Sequence, residues 1–217
     1  MKNYVITIMD NPNSVEVAER CISSGQRFGM PIEKFEAITP KSDLTELMAK
    51  EKIKKEGFEE RWSRMPECMS AFMSHYSLWK KSVELNEEIT IFEHDAVIMD
   101  PIPYINDYRG CISFGRPSYG RYNNPPSLGV NGLISKPYFP GAHAYRVKPN
   151  IAQLLIDEAK YHARPTDVFL NINTFPFLEE YYPWPVEAHD SFTTIQNENG
   201  IQAKHNYVKL KDKYEII

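Results

Sequence analysis

Glu93 and Asp95 flank His94 at the end of an otherwise apolar run, Ile89 to Ile98. A carboxylate without a partner does not sit inside a buried strand, because desolvating the ion outweighs what packing returns. Two acids one residue apart at a strand end therefore call for a compensating cation or for solvent. Their hard oxygens suit Mg²⁺ or Mn²⁺. Such an ion, bridging a diphosphate, would neutralise that group and stabilise it as it leaves. The alternative is a strand-end turn whose acids are solvated. His94 can ligate a metal through a neutral imidazole or point away into packing.

Other residues with chemical capacity are scattered along the chain. His75 and Trp79 lie one turn apart on a helical face with Phe72 and Tyr76, a spacing that serves core packing more often than ligand contact. Asp167 follows Pro165 and Thr166, where an aspartate is good capping chemistry for a helix or turn. Arg116 and Arg121 are interleaved with Tyr119 and Tyr122 in a segment rich in Gly and Pro, Gly115 to Gly132, a candidate binding loop or lid that could grip a diphosphate or an anionic acceptor.

These residues need elements to hold them. Asn3 to Met9 reads as a buried strand. A helix follows with Ser14 as its expected N-cap and Gly29 as its stop, and Ile32 to Thr39 reads as a second strand. Strand, helix and strand in this order open a parallel α/β sheet, and ligands of such sheets sit at the carboxyl ends of the strands. Lys41 to Arg64 mixes both charge signs and reads as a solvated helix or loop. Pro66 to Leu85 reads as a strong helix, Glu88 to Met99 as a strand and Cys111 to Phe114 as another. Gly141 to Val147 reads as a strand or turn, and Asn150 to Tyr161 as a helix. The whole chain, residues 1–217, reads as one domain with a polar tail from about residue 200.

Composition excludes several function classes. The net charge of −4 gives no whole-chain case for binding nucleic acid. From Tyr108 to Ile156, however, no Asp or Glu occurs, while Arg109, Arg116, Arg121, Lys136, Arg146 and Lys148 do, a distribution that suits an anionic partner unless the acids were simply spent elsewhere. The 13 Tyr suit stacking on sugars as well as ordinary half-buried packing. Cys21, Cys68 and Cys111 show no paired spacing and are expected as buried free thiols. The opening MKNYVITIMD is too short and too soon acidic for a signal peptide, and no run of about eighteen apolar residues occurs, so a cytoplasmic setting is expected.

Four motifs occur in a telling order. Ser74-His75 is followed by Leu78-Trp79, then by Phe92-Glu93-His94-Asp95, then by Gly141-Ala142-His143-Ala144-Tyr145, and then by Pro165-Thr166-Asp167. Together they resemble glycosyltransferase family 25, which includes bacterial lipooligosaccharide and collagen galactosyltransferases. That family reads S-H-x-x-x-W, L-E-D-D, G-T-H-x-Y and P-x-D. The resemblance runs from residue 1 to about residue 195. The departures are His94 in place of the family's middle acid, Ser70-Ala71 in place of Gly-Cys, and Ala142 in place of Thr.

The resemblance implies an α/β, GT-A-like (Rossmann-like) fold, a mostly parallel sheet flanked by helices. It implies a nucleotide-sugar donor, UDP-linked, with Mn²⁺ or Mg²⁺ as cofactor, and an inverting transfer of a hexose or pentose to a glycan or lipooligosaccharide hydroxyl. Asp95 becomes the expected metal ligand. Glu93 is a second ligand or holds the donor ribose or sugar, and His189 is a further candidate ligand unless it is an ordinary loop histidine. Asp167, in the P-x-D position, becomes the expected general base. His75, His143, Tyr145, Arg116 and Arg121 are expected to line the donor site, although Ala142 and Ala144 around His143 fit a tight strand crossing equally well. Two alternatives stand beside this reading. The acid-free segment could track DNA, with the acceptor hydroxyl on a hydroxymethylated base. His94 could also mark a non-catalytic nucleotide-sugar-binding relative.

Overall fold

The structure, a computed structural model, describes residues 1–189, 191–202 and 215–217. The expected tail falls largely on residues outside these. In chain order the elements are β1 (Lys2–Thr7), α1 (Pro12–Gln26), β2 (Glu33–Glu36), α2 (Leu44–Lys50), α3 (Met65–Leu85), β3 (Ile89–Glu93), β4 (Ala96–Ile98), β5 (Cys111–Ser113) and β6 (Gly129–Gly132). They continue with β7 (Ala144–Val147), α4 (Pro149–His162), α5 (Thr166–Phe169), β8 (Glu179–Tyr182), β9 (Val186–Ala188), β10 (Phe192–Thr193), α6 (Glu198–Gln202) and β11 (Glu215–Ile216).

Seven strands form the central sheet in the order β2-β1-β3-β7-β5-β8-β6. The β1-α1-β2 opening forms as expected, with β1 parallel to both β2 and β3. Beyond β3 the sheet is mixed. β7 runs antiparallel to both β3 and β5, β5 runs parallel to β8, and β6 runs antiparallel to β8. The reason lies in the connections. A parallel neighbour needs a crossover, usually a helix, and the chain between β5 and β7 contains none. The architecture is thus the expected α/β sheet flanked by helices, parallel where the first three strands meet and mixed beyond them.

Side-chain alternation divides the core into two layers. Tyr4 and Ile6 of β1, Ile89 and Ile91 of β3, and Tyr145 and Val147 of β7 pack with α3 and α4. Val5, Phe92 and Ala144, on the opposite face, pack with Ala18 and Cys21 of α1. The same alternation places Glu93 on the α3 side of the sheet, in register with Ile89 and Ile91. On α3 the expected stripe of Phe72, His75, Tyr76 and Trp79 is buried throughout.

Two local expectations change. Asn11 rather than Ser14 caps α1, its Oδ1 accepting from the N–H of Asn13 at 3.0 Å and of Ser14 at 3.3 Å. The charged segment Lys41 to Arg64 is not simply solvated: Asp43 caps α2, and Leu44, Met48, Ile53 and Phe58 reach the core. All three cysteines are free and buried, as expected, and burial pushes the Cys21 thiol up to about 12. Among the described residues no helix is long and apolar enough to cross a membrane.

Candidate active site

β3 is buried along its length and opens at its carboxyl end. The Glu93 N–H makes the last bond toward β7, to the His143 carbonyl at 3.0 Å. His94 and Asp95 then form a turn, and the chain leaves the central sheet as β4 to pair with β9. The expected single strand from Glu88 to Met99 is therefore two strands in two sheets, with the acidic motif at the bend. The Asp95 carbonyl is fixed from two sides, by the His189 N–H at 3.0 Å and by Arg20 Nη2 of α1 at 3.5 Å. Arg20 also donates to the His189 carbonyl at 2.8 Å.

A cleft of about 740 Å³ lies over this bend. Glu93, His94 and Asp95 line it, together with residues from the ends of β1 and β2, from α3, and from Pro165, Thr166 and Asp167. Tyr119, Gly141 and Ala142 close one side, and Phe192 to Gln196 another.

Two other motifs converge on Glu93. Trp79 Nε1 donates to the Tyr145 hydroxyl at 2.8 Å. The Tyr145 proton then goes to His75 Nδ1, 2.9 Å away. That leaves the His75 proton on Nε2, which donates to Glu93 Oε1 at 3.2 Å. The order follows because indole N–H only donates and each later group has one proton to pass on. Trp79 is thus a core residue, while His75, also buried, still lines the cleft as expected, and the polar atoms of both orient a carboxylate. Tyr145 is fully buried and does not line the cleft; burial pushes its phenol well above the ordinary value. Ser74, the neighbour of His75, accepts the Ile38 N–H at 2.9 Å and donates to the Ser70 carbonyl at 2.9 Å, binding the chain after β2 to α3.

His143 is buried and does not line the cleft itself. Its ring fits only because two neighbours are glycines. A Cβ at Gly115 would lie 2.5 Å from Nε2, and one at Gly141, whose φ is +94°, would lie 2.8 Å from Nδ1. The ring thus packs against Gly115 and Gly141, and Gly141 lines the cleft.

Asp167 stands on the wall formed by α5. It is inside the first turn rather than a cap, the capping position being Pro165. Its Oδ1 accepts the Val168 N–H at 2.9 Å, and its Oδ2 accepts the Tyr119 hydroxyl. Burial pushes its carboxyl up to about 6, and the nearby Glu93 charge pushes the same way, while the bonds from Tyr119 and Val168 oppose the rise. Tyr119 stacks on Tyr138 with centroids 6.4 Å apart, and the Lys136 ammonium lies 4.8 Å from the Tyr119 centroid. Tyr119 was legible only as one of several tyrosines in the candidate loop; nothing in its spacing pointed to Asp167.

Glu93 and Asp95 are hard oxygen donors on the cleft wall. That set suits Mg²⁺ or Mn²⁺, which take one or two carboxylates and complete their shell with phosphate oxygens and water. His189 is not brought to them as a third ligand. Its exposed ring lies 3.2 Å from Glu187, and only its backbone reaches Asp95. Among the described residues no three His, Cys, Asp or Glu side chains gather as a metal site.

The cations of the acid-free segment are mostly engaged internally. Arg116 pairs with Glu187 at 2.7 Å and lies outside the cleft. Arg109 pairs with Glu179 at 3.8 Å, and Lys148 donates to the Tyr108 carbonyl at 2.8 Å. Arg146 is buried over the Phe114 ring, donating to Thr90 at 3.2 Å. Arg121 is exposed, outside the cleft, and forms no ion pair among the described residues. For two of these cations the missing acids come from later strands, Glu179 facing Arg109 and Glu187 facing Arg116.

The sequence profile of glycosyltransferase family 25 (LPS biosynthesis protein) matches residues 1–109, the part of the chain that carries the Ser74-His75 helix and the Glu93-His94-Asp95 bend. The chain belongs to glycosyltransferase family 25. It is a glycosyltransferase. No curated protein matches the chain. Among solved structures it is similar to a glycosyltransferase involved in the glycosylation of the major capsid of PBCV-1, at 10% identity over 82% of this chain and 71% of that one, with a TM-score of 0.36. It is also similar to a mutant Drosophila beta-1,4-galactosyltransferase 7 in complex with manganese, UDP-Gal and xylobiose, at 9% identity over 96% of this chain and 76% of that one, with a TM-score of 0.37.

Proposed function

We propose that this family 25 glycosyltransferase is metal-dependent and inverting, moving a sugar from a nucleoside diphosphate donor, a UDP-sugar in the simplest case, to a glycan hydroxyl. The observation that carries the reading is the facing of two unlike corners across one cleft. Glu93 and Asp95 stand at the β3 bend, and Asp167, its carboxyl raised to about 6, stands on the α5 wall.

Asp167 takes the proton of the acceptor hydroxyl as that oxygen attacks the anomeric carbon. The new carbon–oxygen bond forms while the bond from the anomeric carbon to the phosphate oxygen breaks, and the nucleoside diphosphate leaves with the electron pair. Protonated Asp167 then returns its proton to water. A base whose affinity for protons lies near the working pH is suited to this step. Asp95 and Glu93 would hold a divalent ion, which when bound neutralises the diphosphate. The chain from Trp79 through Tyr145 and His75 keeps Glu93 in one orientation. A pure binding protein would have no use for a carboxylate prepared as Asp167 is.

The test is donor hydrolysis and donor-dependent thermal shift with Mn²⁺ and a panel of nucleotide sugars. Hydrolysis and shift with at least one donor are expected, both lost in Asp95→Ala while the variant keeps its fold by circular dichroism. No response to any donor, with or without metal, overturns the reading. Transfer to oligosaccharides rather than to hydroxymethylated duplex DNA is expected. Salt-sensitive DNA binding with transfer to the modified base would replace the glycan acceptor instead.

A further inference from the structure

His94, between the two carboxylates of the β3 bend, is not explained by the functional reading above. Its Nδ1 lies 2.7 Å from the Ser14 hydroxyl. Ser14 is fully buried, and its oxygen already accepts the Ile8 N–H at 2.9 Å. The hydroxyl has one proton to place, and His94 Nδ1 is its acceptor among the described residues. Were Nδ1 to carry the hydrogen instead, the serine proton would be left buried and unmatched, which is the costly arrangement. A neutral imidazole that accepts at Nδ1 carries its proton on Nε2. The ring is further held by Phe192, 5.7 Å between centroids, and it lines the cleft.

In this tautomer neither ring nitrogen offers a free lone pair to a metal. One lone pair is taken by Ser14, and the other nitrogen bears hydrogen. The ring lines the cleft with its N–H on Nε2, and it stands between the two carboxylates that would carry the ion. We infer that His94 is a hydrogen-bond donor to the donor's diphosphate oxygens rather than a metal ligand, and that Ser14 is the positioning residue that fixes its tautomer. The inference rests on the nucleoside diphosphate reading and deepens it. The phosphate is met by metal on one side and by a fixed N–H on the other, so donor binding has a component that does not need metal.

Two measurements on the full chain test this. The first is ¹⁵N NMR of histidine-labelled protein near neutral pH, with the His94 signal assigned by its loss in His94→Gln. The Nε2–H tautomer is expected, and Ser14→Ala should mix it with the Nδ1–H form; an Nδ1–H tautomer in the wild type overturns the inference. The second is calorimetric titration with UDP, GDP and CDP, in EDTA and in Mn²⁺, alongside Mn²⁺ binding to the free protein by electron paramagnetic resonance. His94→Ala should weaken diphosphate binding about tenfold, the worth of one hydrogen bond to a charged group. His94→Gln, which keeps an N–H at similar reach, should recover most of it, and Mn²⁺ affinity should be unchanged in both. A wild type that binds a diphosphate while His94→Ala binds it equally well, or loses Mn²⁺ affinity instead, overturns the inference and leaves the donor reading standing. A wild type that binds none of the three diphosphates in either condition defeats the donor reading itself.

Discussion

The two acidic corners of the cleft are built by opposite means. Glu93 ends a central strand and is held through His75 and Tyr145 by Trp79, every supporting group lying in the core between α3 and the sheet. Asp167 sits on the four-residue helix α5 and is held by its neighbour's N–H and by Tyr119, which comes from a long loop. The first corner is an extension of the hydrophobic core, and to move Glu93 is to disturb packing. The second rests on a short helix whose own buried residues are Thr166 and Phe169. Its proton affinity is set by burial against two hydrogen bonds, and it can respond to whatever occupies the cleft. The division matches the two tasks proposed for them, holding an ion in place and exchanging a proton.

The largest break in this comparison is Asp167→Asn. Asn preserves shape and can accept from Tyr119 but takes no proton, so transfer should fall by about 10²–10⁴-fold, the range for loss of a general base. Diphosphate affinity should stay near that of the wild type, since the ion corner is untouched. Stability should move the other way. The folded carboxyl is raised from 3.8 to about 6. Its contribution to folding is therefore fully present below the unfolded value and is lost as pH rises through about 6. At neutral pH the Asn variant should melt at or above the wild-type temperature, measured by calorimetry. A variant that transfers normally would remove Asp167 from the mechanism.

Tyr145→Phe tests the opposite corner. It removes one oxygen and leaves Trp79 Nε1 and His75 Nδ1 without their partner in the core. Unsatisfied buried groups cost about 1–3 kcal/mol, so the variant should lose stability of that order in urea unfolding. It should also bind Mn²⁺ more weakly, because the His75 tautomer that orients Glu93 is no longer enforced. Weakened metal binding with intact stability would mean that the relay serves the ion alone. Lost stability with intact metal binding would mean that Glu93 needs no such support.

How far this was legible in the sequence differs between the corners in the same way. The β3 run, the α3 stripe and the opening β1-α1-β2 unit follow from local periodicity, so the strand end that carries Glu93 and Asp95 and the helix behind it are legible in the sequence. What periodicity does not carry is the direction of a hydrogen. That Tyr145 lies between Trp79 and His75 depends on β7 running antiparallel beside β3, a pairing set by the loop without a helix between β5 and β7. Ser14 read as a cap because serine commonly caps helices, but Asn11 takes that role and releases the serine hydroxyl to His94. The acid-free run read as a basic surface because sequence distance hides that Glu179 and Glu187 fold back onto Arg109 and Arg116. Asp167 stands out in the sequence through its motif, whereas Tyr119, its partner across 48 residues, has no local signal.

The finest distinction between the corners lies in how Asp167 answers pH. As the proposed base Asp167 works only when ionised, so kcat/KM should fall as pH drops through about 6, the value to which burial raises the carboxyl. The Tyr119 phenol, itself pushed well above its ordinary value by burial and by the Asp167 charge, stays protonated across that range and acts only as a donor. A donor to a carboxylate favours the charged form. Tyr119→Phe therefore removes a restraint on the rise, and the acid limb of the profile should move to higher pH while the rate on the plateau changes little. Because the phenyl ring keeps the stack on Tyr138, a shifted limb reports the lost hydrogen bond rather than a collapsed loop. A limb that stays where it was, with a lowered plateau, would assign Tyr119 to holding the acceptor and leave the basicity of Asp167 to burial alone.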